Sequence, residues 1–297
     1  MATAFCPAHI TGFFKAELNK EDSKQLGSLG AGFSIQKGVK TTVTIRNKTK
    51  HDISNFTIKV NGFESGDMRV SEVVLSKFPT KEKFVDVIHE IDVPVGYGFG
   101  SSAAVALSLS IALNDALECK LSKIKVAQIA HDVEIECKTG LGDVLASYHG
   151  GFEIRDKPGA PGIGHVQKIA LNEISIIMIC FSPISTSKFI KERLPQINGL
   201  GGKMVNKLLE SKNYEHFQEM SLEFAKYVDV MTPRMQKVVN ELSKNNIKCG
   251  IALFGETIFS MIPKEKENKV LEILEKYSDG IIIKSELDDV GARVLHN

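Results

Sequence analysis

The order of strand and helix patterns along this 297-residue chain predicts an α+β fold built from two domains. The first third is rich in short β-branched runs, and two helical segments follow a glycine-rich loop. A continuous apolar run at 174–181 then opens a more helical second half. Because the chain exceeds the usual span of one hydrophobic core, we expect an N-terminal domain at 1–165 and a C-terminal domain at 166–297.

The composition argues against several classes of protein. The formal net charge is +1, so the chain lacks the excess of positive charge that nucleic-acid binders and anionic-membrane binders usually carry. Five widely spaced cysteines without a CxxC pair indicate neither a disulfide framework nor a zinc site. Residues 1–14 lack the basic and apolar segments of a signal peptide, and no run approaches the ~18 apolar residues that span a bilayer. We expect a soluble, cytoplasmic protein that binds neither nucleic acid nor membrane.

Strands and helices can be assigned in order from residue periodicity. β-branched runs separated by Gly, Asn and Lys turns predict strands at 32–36, 40–46, 56–60 and 84–93. The last of these stops at Pro94. Ala, Leu and Ser at helical spacing, without an internal Pro or Gly, predict a helix over 101–117. A second predicted helix, 122–137, begins at a serine cap.

The second half continues with mixed elements. A strand is predicted at 150–155, and the segment 157–164, with two prolines and three glycines, predicts a linker or exposed turn. The apolar run 174–181 has the length of a fully buried strand. The remaining predicted elements are helices at 202–212, 214–229, 234–245 and 264–276, and strands at 248–254, 257–262 and 279–284.

The stretch Pro94-Val-Gly-Tyr-Gly-Phe-Gly-Ser-Ser-Ala-Ala104 lies between a predicted strand and the long predicted helix. Its three glycines permit backbone conformations that other residues rarely adopt, and the following helix start offers unpaired N–H groups that attract phosphate. A glycine-rich turn with a serine cap is the structural alternative. The lysine of a Walker A loop is absent. The predicted nucleotide-binding residues are Pro94, Gly96, Gly98, Phe99, Gly100, Ser101, Ser102 and Ala103.

This stretch resembles the P-x3-G-L-G-S-S-A-A motif of the GHMP kinase superfamily, which includes galactokinase, homoserine kinase and mevalonate kinase; Phe99 replaces Leu. The resemblance implies an enzyme that uses ATP and Mg²⁺, with Ser102 reaching the metal. It also implies an α+β fold with an N-terminal ribosomal S5 domain 2-like domain and a C-terminal ferredoxin-like domain. Members are often dimeric, so the resemblance suggests a homodimer.

Other stretches resemble the same superfamily in the same order. Where many members have Pro-Gly followed by Lys or Arg, this chain has Ala8 and His9. The run from His9 to Phe14, the run Thr139-Gly-Leu-Gly-Asp and the run Gly-Gly-Phe-Glu-Ile-Arg155 resemble archaeal pantoate kinases. The resemblance therefore implies pantoate as the acceptor, in coenzyme A synthesis. Homoserine, shikimate and mevalonate-type acceptors are the alternatives.

Two acidic residues resemble the helix glutamate and the loop aspartate of the superfamily. Glu134, on a predicted helix, could complete the shell of a Mg²⁺ ion together with Ser102, because Mg²⁺ takes few carboxylates and keeps phosphate and water. Asp143, on a glycine turn, could accept the proton of the attacking hydroxyl. The spacing leaves Glu136 as a rival to Glu134. A solvated helix carboxylate and an Asp helix cap are the structural alternatives.

The acceptor would need a partner for its carboxylate, and an arginine suits bidentate contact. Strand alternation places Arg155 opposite Phe152 and Ile154, so we expect it to face a cleft; an ordinary surface arginine is the alternative. Further predicted substrate ligands are Ser28, His131, Thr186 and His9. The third glycine motif of the superfamily is weak here, since 249–257 contains only two glycines. A buried strand followed by a turn fits that segment equally well.

Overall fold

The computed structural model describes residues 1–63 and 66–296. The strands are β1 Ala2–Glu17, β2 Gly27–Asn47, β3 Phe56–Gly62, β4 Lys83–Ile91, β5 Phe152–Lys157, β6 His165–Ile169, β7 Ile174–Pro183, β8 Gly250–Ala252, β9 Gly255–Pro263, β10 Ile281–Glu286 and β11 Arg293–Leu295. The α-helices are α1 Arg69–Ser76, α2 Ser101–Ala116, α3 Lys123–Cys137, α4 Asp143–His149, α5 Thr186–Ser211, α6 Tyr214–Tyr227, α7 Pro233–Lys244 and α8 Glu267–Leu274. The α+β class is therefore confirmed.

Two sheets form the frame. The first runs in the order β11-β1-β2-β4-β3, with β5 paired to β2 and β6 paired to β5. The second runs β10-β7-β9-β8. In β1 the pairing with β2 shifts register between Pro7 and Ala8, and again between Thr11 and Phe13. Such irregularities re-aim side chains, and here they flank the segment that carries His9.

Most predicted elements are found near their predicted bounds. The helix over 101–117 is α2, and Ser122 caps α3 by accepting a hydrogen bond from the backbone N–H of Lys125 at 3.3 Å. The run 174–181 lies in β7 and is buried throughout. The predicted strands 32–36 and 40–46 are parts of one long strand, β2, and no elements were predicted where β1, α1, β6 and β11 lie.

Helix α5 begins at Thr186, well before the start predicted at 202. From the sequence, Pro195 and the glycines that follow it would be expected to break a helix here. Tertiary contacts nevertheless keep the segment helical. A Cβ at Gly201 would lie 1.9 Å from the carbonyl oxygen of Phe14, so the helix crosses β1 at very close range. Asn198 completes this crossing, since its side chain bonds both the N–H and the carbonyl of Ala16, at 2.8 and 3.2 Å.

The segment 157–164 is a turn, as predicted, but it is not an exposed linker. Gly159, Ala160 and Pro161 are buried, and the strand that follows pairs back onto β5. The turn therefore closes a hairpin within the first sheet. The last strand, β11, also returns to this sheet by pairing with β1. The division between 165 and 166 stays a prediction. It would assign β11 and nearly all of β6 to the C-terminal domain, although both strands pair with the first sheet.

A cluster of phenylalanines joins the two sheets into one core. Phe217 of α6 stacks on Phe259 of β9 with ring centroids 5.6 Å apart, and it also contacts Phe13, Phe33 and Phe152 of the first sheet at 5.1 to 6.1 Å. Aromatic pairs at these distances add to the burial of apolar area. In the described part of the chain, no helix has the length and apolar character needed to cross a membrane.

Candidate active site

A cavity of about 620 Å³, here called the loop cavity, lies between the glycine-rich loop and the start of α5. Thr11, Asp143, Thr186 and Phe254 contribute to its wall. Six of the predicted nucleotide-binding residues also line it: Gly96, Gly98, Phe99, Gly100, Ser101 and Ser102. The other two predicted residues, Pro94 and Ala103, are not among the described residues that line it. Ala103 is fully buried in α2.

The glycines shape the loop around its neighbours. Gly98 has a φ of 86°, and a Cβ there would lie 2.4 Å from the carbonyl oxygen of Leu253. Gly100 occupies the N-cap of α2 with a φ of 56°, in the left-handed region that favours glycine. The first turn of α2 therefore presents its unpaired N–H groups and positive dipole end to the cavity, which suits an anion.

Glu134 lies beside Ser102. The Ser102 hydroxyl donates to Glu134 Oε1 at 2.8 Å, and Thr139 Oγ1 lies 3.4 Å from the same oxygen. Glu134 is only 1% exposed, and burial together with the charge of Asp143 raises its pKa to about 8, against the two hydroxyl bonds. Glu136, its rival, instead pairs with Lys77 at 2.7 Å on the surface. The structure thus brings Glu134, and not Glu136, next to the predicted metal-binding serine.

Asp143 begins α4 and reaches the loop cavity. Its Oδ1 lies 2.8 Å from His9 Nδ1 and 3.4 Å from Thr11 Oγ1. Burial would raise the pKa of this carboxyl, but the hydrogen bond and charge of His9, with the nearby charge of Arg155, lower the pKa overall. The carboxylate is therefore ionised at neutral pH, and its contacts with His9 and Thr11 fix its position.

His9 and Arg155 lie beneath Asp143 and have almost no exposed surface. His9 Nε2 lies 3.0 Å from Glu153 Oε1, and Arg155 forms an ion pair with the same oxygen. Arg155 was expected to face a cleft, but it is 1% exposed. Alternation did place it on the strand face opposite Phe152. That face, however, is also covered, by His9 and by the loop that precedes Asp143.

A narrower cavity, the inner cavity, adjoins the loop cavity and shares Asp143, Thr11, Thr186 and Phe254 with it. Its volume is only about 10 Å³, close to the space of one water molecule. Ser28 contributes to the wall, so the structure brings two of the predicted substrate ligands, Ser28 and Thr186, to one place beside Asp143.

Comparison with known proteins identifies the family of this chain. The family model for the GHMP kinases N terminal domain matches residues 68–151. The pantoate kinase of Methanocaldococcus jannaschii is 33% identical over 277 residues, which cover 91% of this chain and 96% of the relative. The chain belongs to the GHMP kinase family. The pantoate kinase of Thermococcus kodakarensis is 29% identical over 275 residues, covering 91% of each chain.

Solved structures support the same family assignment for this chain. One described as a phosphotransferase related to the CoA biosynthesis pathway superimposes with a TM-score of 0.88, at 28% identity and covering 98% of this chain and 97% of the other. Mevalonate diphosphate decarboxylase from Staphylococcus aureus gives a TM-score of 0.70 at 14% identity, covering 99% and 98%, which shows a shared fold. The GHMP kinase fold and a phosphotransferase activity are thereby confirmed.

Of the predicted substrate ligands, His9, Arg155 and His131 are buried and are not among the described residues that line either cavity. His131 lies apart from the other two. This side chain is buried, with Nε2 3.2 Å from the carbonyl oxygen of Ser23. Glu134 points to Ser102, whereas His131 lies under the turn that leads to Ser28. Any effect of His131 on the substrate would be transmitted through that turn.

The glycine-poor C-terminal motif forms a hairpin in this kinase. β8 and β9 are joined by Leu253 and Phe254, and Phe254 has a φ of 68°, which is uncommon for an aromatic residue. The backbone N–H of Leu253 donates to the Thr11 carbonyl at 3.0 Å, and Thr257 donates to the Tyr97 carbonyl at 2.9 Å. The hairpin thus supports both the glycine-rich loop and β1.

Sequence reasoning missed several residues of the site, among them Thr11, Thr139, Phe254 and Glu153. Phe254 lines both cavities, and a non-glycine residue at a hairpin turn gives no signal of this role. Glu153 is fully buried between His9 and Arg155. Its position next to two apolar residues of a strand is typical of a solvent-facing carboxylate. The only available signal was its two-residue spacing from Arg155, which places both on one strand face.

Proposed function

We propose that this GHMP kinase transfers the γ-phosphoryl group of ATP to the primary hydroxyl of (R)-pantoate, giving ADP and 4-phosphopantoate for coenzyme A synthesis. The observation that carries the proposal is the position of Asp143. Its ionised carboxylate stands where the loop cavity meets the inner cavity, so that it adjoins both a phosphate site and an acceptor site. The similarity to pantoate kinases over 91% of the chain supports the choice of acceptor.

The nucleotide would lie along the glycine-rich loop. The α2 N-terminus and the Ser101 and Ser102 hydroxyls suit the triphosphate. An apolar cavity of about 160 Å³ shares Val95 and these two serines with the loop cavity. Apolar side chains dominate its wall, which suits a purine base: Val60, Met68, Val70, Ile91, Val95 and Val105.

The donor set fits a Mg²⁺ ion bound together with phosphate oxygens. Ser102 Oγ and Glu134 Oε1 lie 2.8 Å apart, and both are the hard oxygen ligands that Mg²⁺ prefers. The high pKa of Glu134 reflects a carboxylate buried near the charge of Asp143, which a cation would relieve. When bound, Mg²⁺ would neutralise charge on the β- and γ-phosphate oxygens. Ser102 and Glu134 would hold it.

Asp143 is proposed to orient the acceptor hydroxyl and to take its proton. As the hydroxyl oxygen bonds to the γ-phosphorus, the bond to the β-phosphate oxygen breaks, ADP leaves, and the hydroxyl proton passes to the Asp143 carboxylate. Its lowered pKa makes it a weak base. That is sufficient because the transition state of phosphoryl transfer is loose, so most catalysis comes from positioning and charge stabilisation.

The inner cavity is proposed to hold pantoate, with Ser28 and Thr186 as hydroxyl partners. A cavity of about 10 Å³ does not admit pantoate, so the first turn of α5 or the 140–142 loop must move when the substrate enters. Arg155 lies directly behind this wall, since a Cβ on Gly142 would come within 2.9 Å of its Nε. We propose that such a movement brings the guanidinium within reach of the pantoate carboxylate.

A coupled ADP-release assay tests the proposal, with pantoate, homoserine, shikimate and mevalonate compared at equal concentrations. We expect pantoate to give the highest kcat/KM. Asp143→Asn should lower kcat by roughly 10² or more, while the affinity for ATP stays within a few-fold of the wild-type value. Asp115→Asn, on the exposed end of α2, is the control and should leave kcat unchanged.

Two outcomes would contradict the proposal. If another hydroxy acid is phosphorylated and pantoate is not, the choice of acceptor is wrong. An Asp143→Asn variant with the wild-type kcat would remove Asp143 from the reaction. The homodimer suggested by the family also stays a prediction, and light scattering on the purified protein measures it directly.

A further inference from the structure

Glu153 is a buried carboxylate that no step of the proposed reaction uses. It has no exposed surface, and its Oε1 contacts both His9 Nε2, at 3.0 Å, and Arg155 Nη1. Its second oxygen, Oε2, has no hydrogen-bond partner among the described residues, and neither does Arg155 Nε. If this buried ion pair served only to stabilise the fold, we would expect each of these atoms to have a hydrogen-bond partner, because an unpaired polar atom in the interior is costly.

Glu153, His9 and Asp143 instead form a chain of hydrogen-bonded side chains that ends at the loop cavity. From Glu153 it runs through the His9 ring to Asp143, with His9 Nδ1 2.8 Å from Asp143 Oδ1. Four groups face the ring: Asp143 from α4, Glu153 and Arg155 from β5, and Thr11 from its own strand. Two of these are carboxylates, one at each ring nitrogen.

Arg155 competes with Glu153 for one ring nitrogen. Arg155 Nη1 lies 3.3 Å from His9 Nε2, so in principle the guanidinium could donate to an unprotonated Nε2 and leave the ring neutral. The Glu153 oxygen is closer to this nitrogen, at 3.0 Å, and a carboxylate can only accept. Glu153 therefore favours a proton on Nε2, while the Asp143 carboxylate favours one on Nδ1.

We propose that Glu153 is a positioning residue, whose carboxylate keeps the His9 ring doubly protonated and fixed, so that the ring donates to Asp143 and carries the charge that holds Asp143 ionised. This inference rests on the proposed function of Asp143. Glu153 itself contacts neither cavity. Its effect on phosphoryl transfer passes entirely through His9.

Nitrogen NMR of the histidine rings tests the inference without any substrate. The protein is labelled with ¹⁵N-histidine, and the His9 signals are assigned as those that disappear in a His9→Gln variant, since the chain has eight histidines. At pH 7.5 we expect the wild-type protein to show both His9 nitrogens protonated. In Glu153→Gln the Nε2 proton should be lost at the same pH, because the neutral amide no longer stabilises a charged ring.

Kinetics provide the second readout. Glu153→Gln should lower kcat at least about tenfold, since misplacement of a reacting group by a distant change has effects of this size, while the KM for ATP stays within twofold. In a His9→Gln background the same change should have no further effect on kcat. Asp156→Asn is the matched control: this carboxylate lies on the same strand but contacts His165 and Gln167 near the surface, and it should leave kcat unchanged.

The outcomes separate this inference from the proposed function. A neutral His9 ring in the wild-type protein overturns the inference, and this spectrum can be read even if Glu153→Gln fails to fold. Equal losses of kcat from Glu153→Gln in both backgrounds also overturn it, since Glu153 would then act independently of His9. A wild-type protein that shows the doubly protonated ring but does not phosphorylate pantoate would refute the acceptor and leave the geometry intact.

Discussion

Glu134 should cost the protein stability while being needed for activity, and this conflict gives the sharpest test of the site. The carboxylate is buried, hydrogen-bonded to Ser102 and near Asp143. Glu134→Gln keeps the shape of the side chain and removes its charge. We expect the variant to be more stable than the wild-type protein in EDTA and to have lost most of its activity.

The size of the stability gain follows from the pKa of Glu134. Burial and the charge of Asp143 raise it from 4.5 to about 8, so between these pH values folding requires this carboxyl to take up a proton that the unfolded chain would release. At about 1.4 kcal/mol for each unit, the cost at pH 7 is about 3 kcal/mol. The cost is absent below pH 4.5, grows as the pH rises, and is complete near pH 8. Glutamine avoids it entirely.

Thermal unfolding in EDTA measures this gain. At about 2 °C or more for each kcal/mol, the melting temperature of Glu134→Gln should exceed that of the wild-type protein by at least about 5 °C at pH 7, and by close to nothing at pH 4.5. In the ADP-release assay, the Mg²⁺ concentration for half-maximal activity should rise about tenfold or more, because the proposed site loses its charged ligand.

Glu136→Gln is the matched control on the same helix. Glu136 is half exposed and pairs with Lys77, so its loss should change the melting temperature and the Mg²⁺ requirement very little. A Glu134→Gln variant that melts below the wild-type protein in EDTA at pH 7 would contradict the predicted cost of burying this carboxyl. A Mg²⁺ requirement that responds to Glu136→Gln and not to Glu134→Gln would contradict the proposed role of Glu134 as a metal ligand.

Two further predictions concern other buried groups. Arg155→Lys keeps a positive charge beside Glu153 but loses the planar fork, so the KM for pantoate should rise at least about tenfold while the KM for ATP stays within threefold; an unchanged pantoate KM would contradict the carboxylate contact. Burial lowers the pKa of His89 from 6.5 to about 4, so the free energy of unfolding should fall by ~3 kcal/mol as the pH drops from 6.5 to 4. Urea titrations of His89→Gln should show a weaker acid dependence.

The local sequence was sufficient to predict those elements that form without contacts from distant parts of the chain. The helix at 101–117 has strong helix formers and no breaker, and the helix after Ser122 has a side-chain cap. The glycine-rich loop carried enough specific residues to indicate the family and six residues of the loop cavity. Asp143 and Ser102 lie, as predicted, beside that cavity.

Features that depend on distant parts of the chain were not accessible in this way. The first half of α5 forms despite Pro195 because Asn198 and Gly201 fit against β1, a contact between segments far apart in sequence. The same limit applies to Arg155 and Glu153. Strand alternation gives their shared face correctly. Whether that face meets solvent or another layer depends on His9, more than 140 residues earlier in the chain.

The two carboxylates of the site differ in pKa because their neighbours differ, and this difference supports distinct roles. Asp143 has His9 beside it, so it is ionised across the neutral range and, in the proposed reaction, can take the hydroxyl proton as the new bond forms. Among the described residues, the hydrogen-bond partners of Glu134 are the hydroxyls of Ser102 and Thr139, and its pKa is about 8. A cation bound at Ser102 would favour the ionised form of Glu134, so that metal binding and proton release would be coupled. A carboxylate with a raised pKa beside one with a lowered pKa is consistent with the proposed roles of Glu134 in metal binding and of Asp143 in accepting the hydroxyl proton.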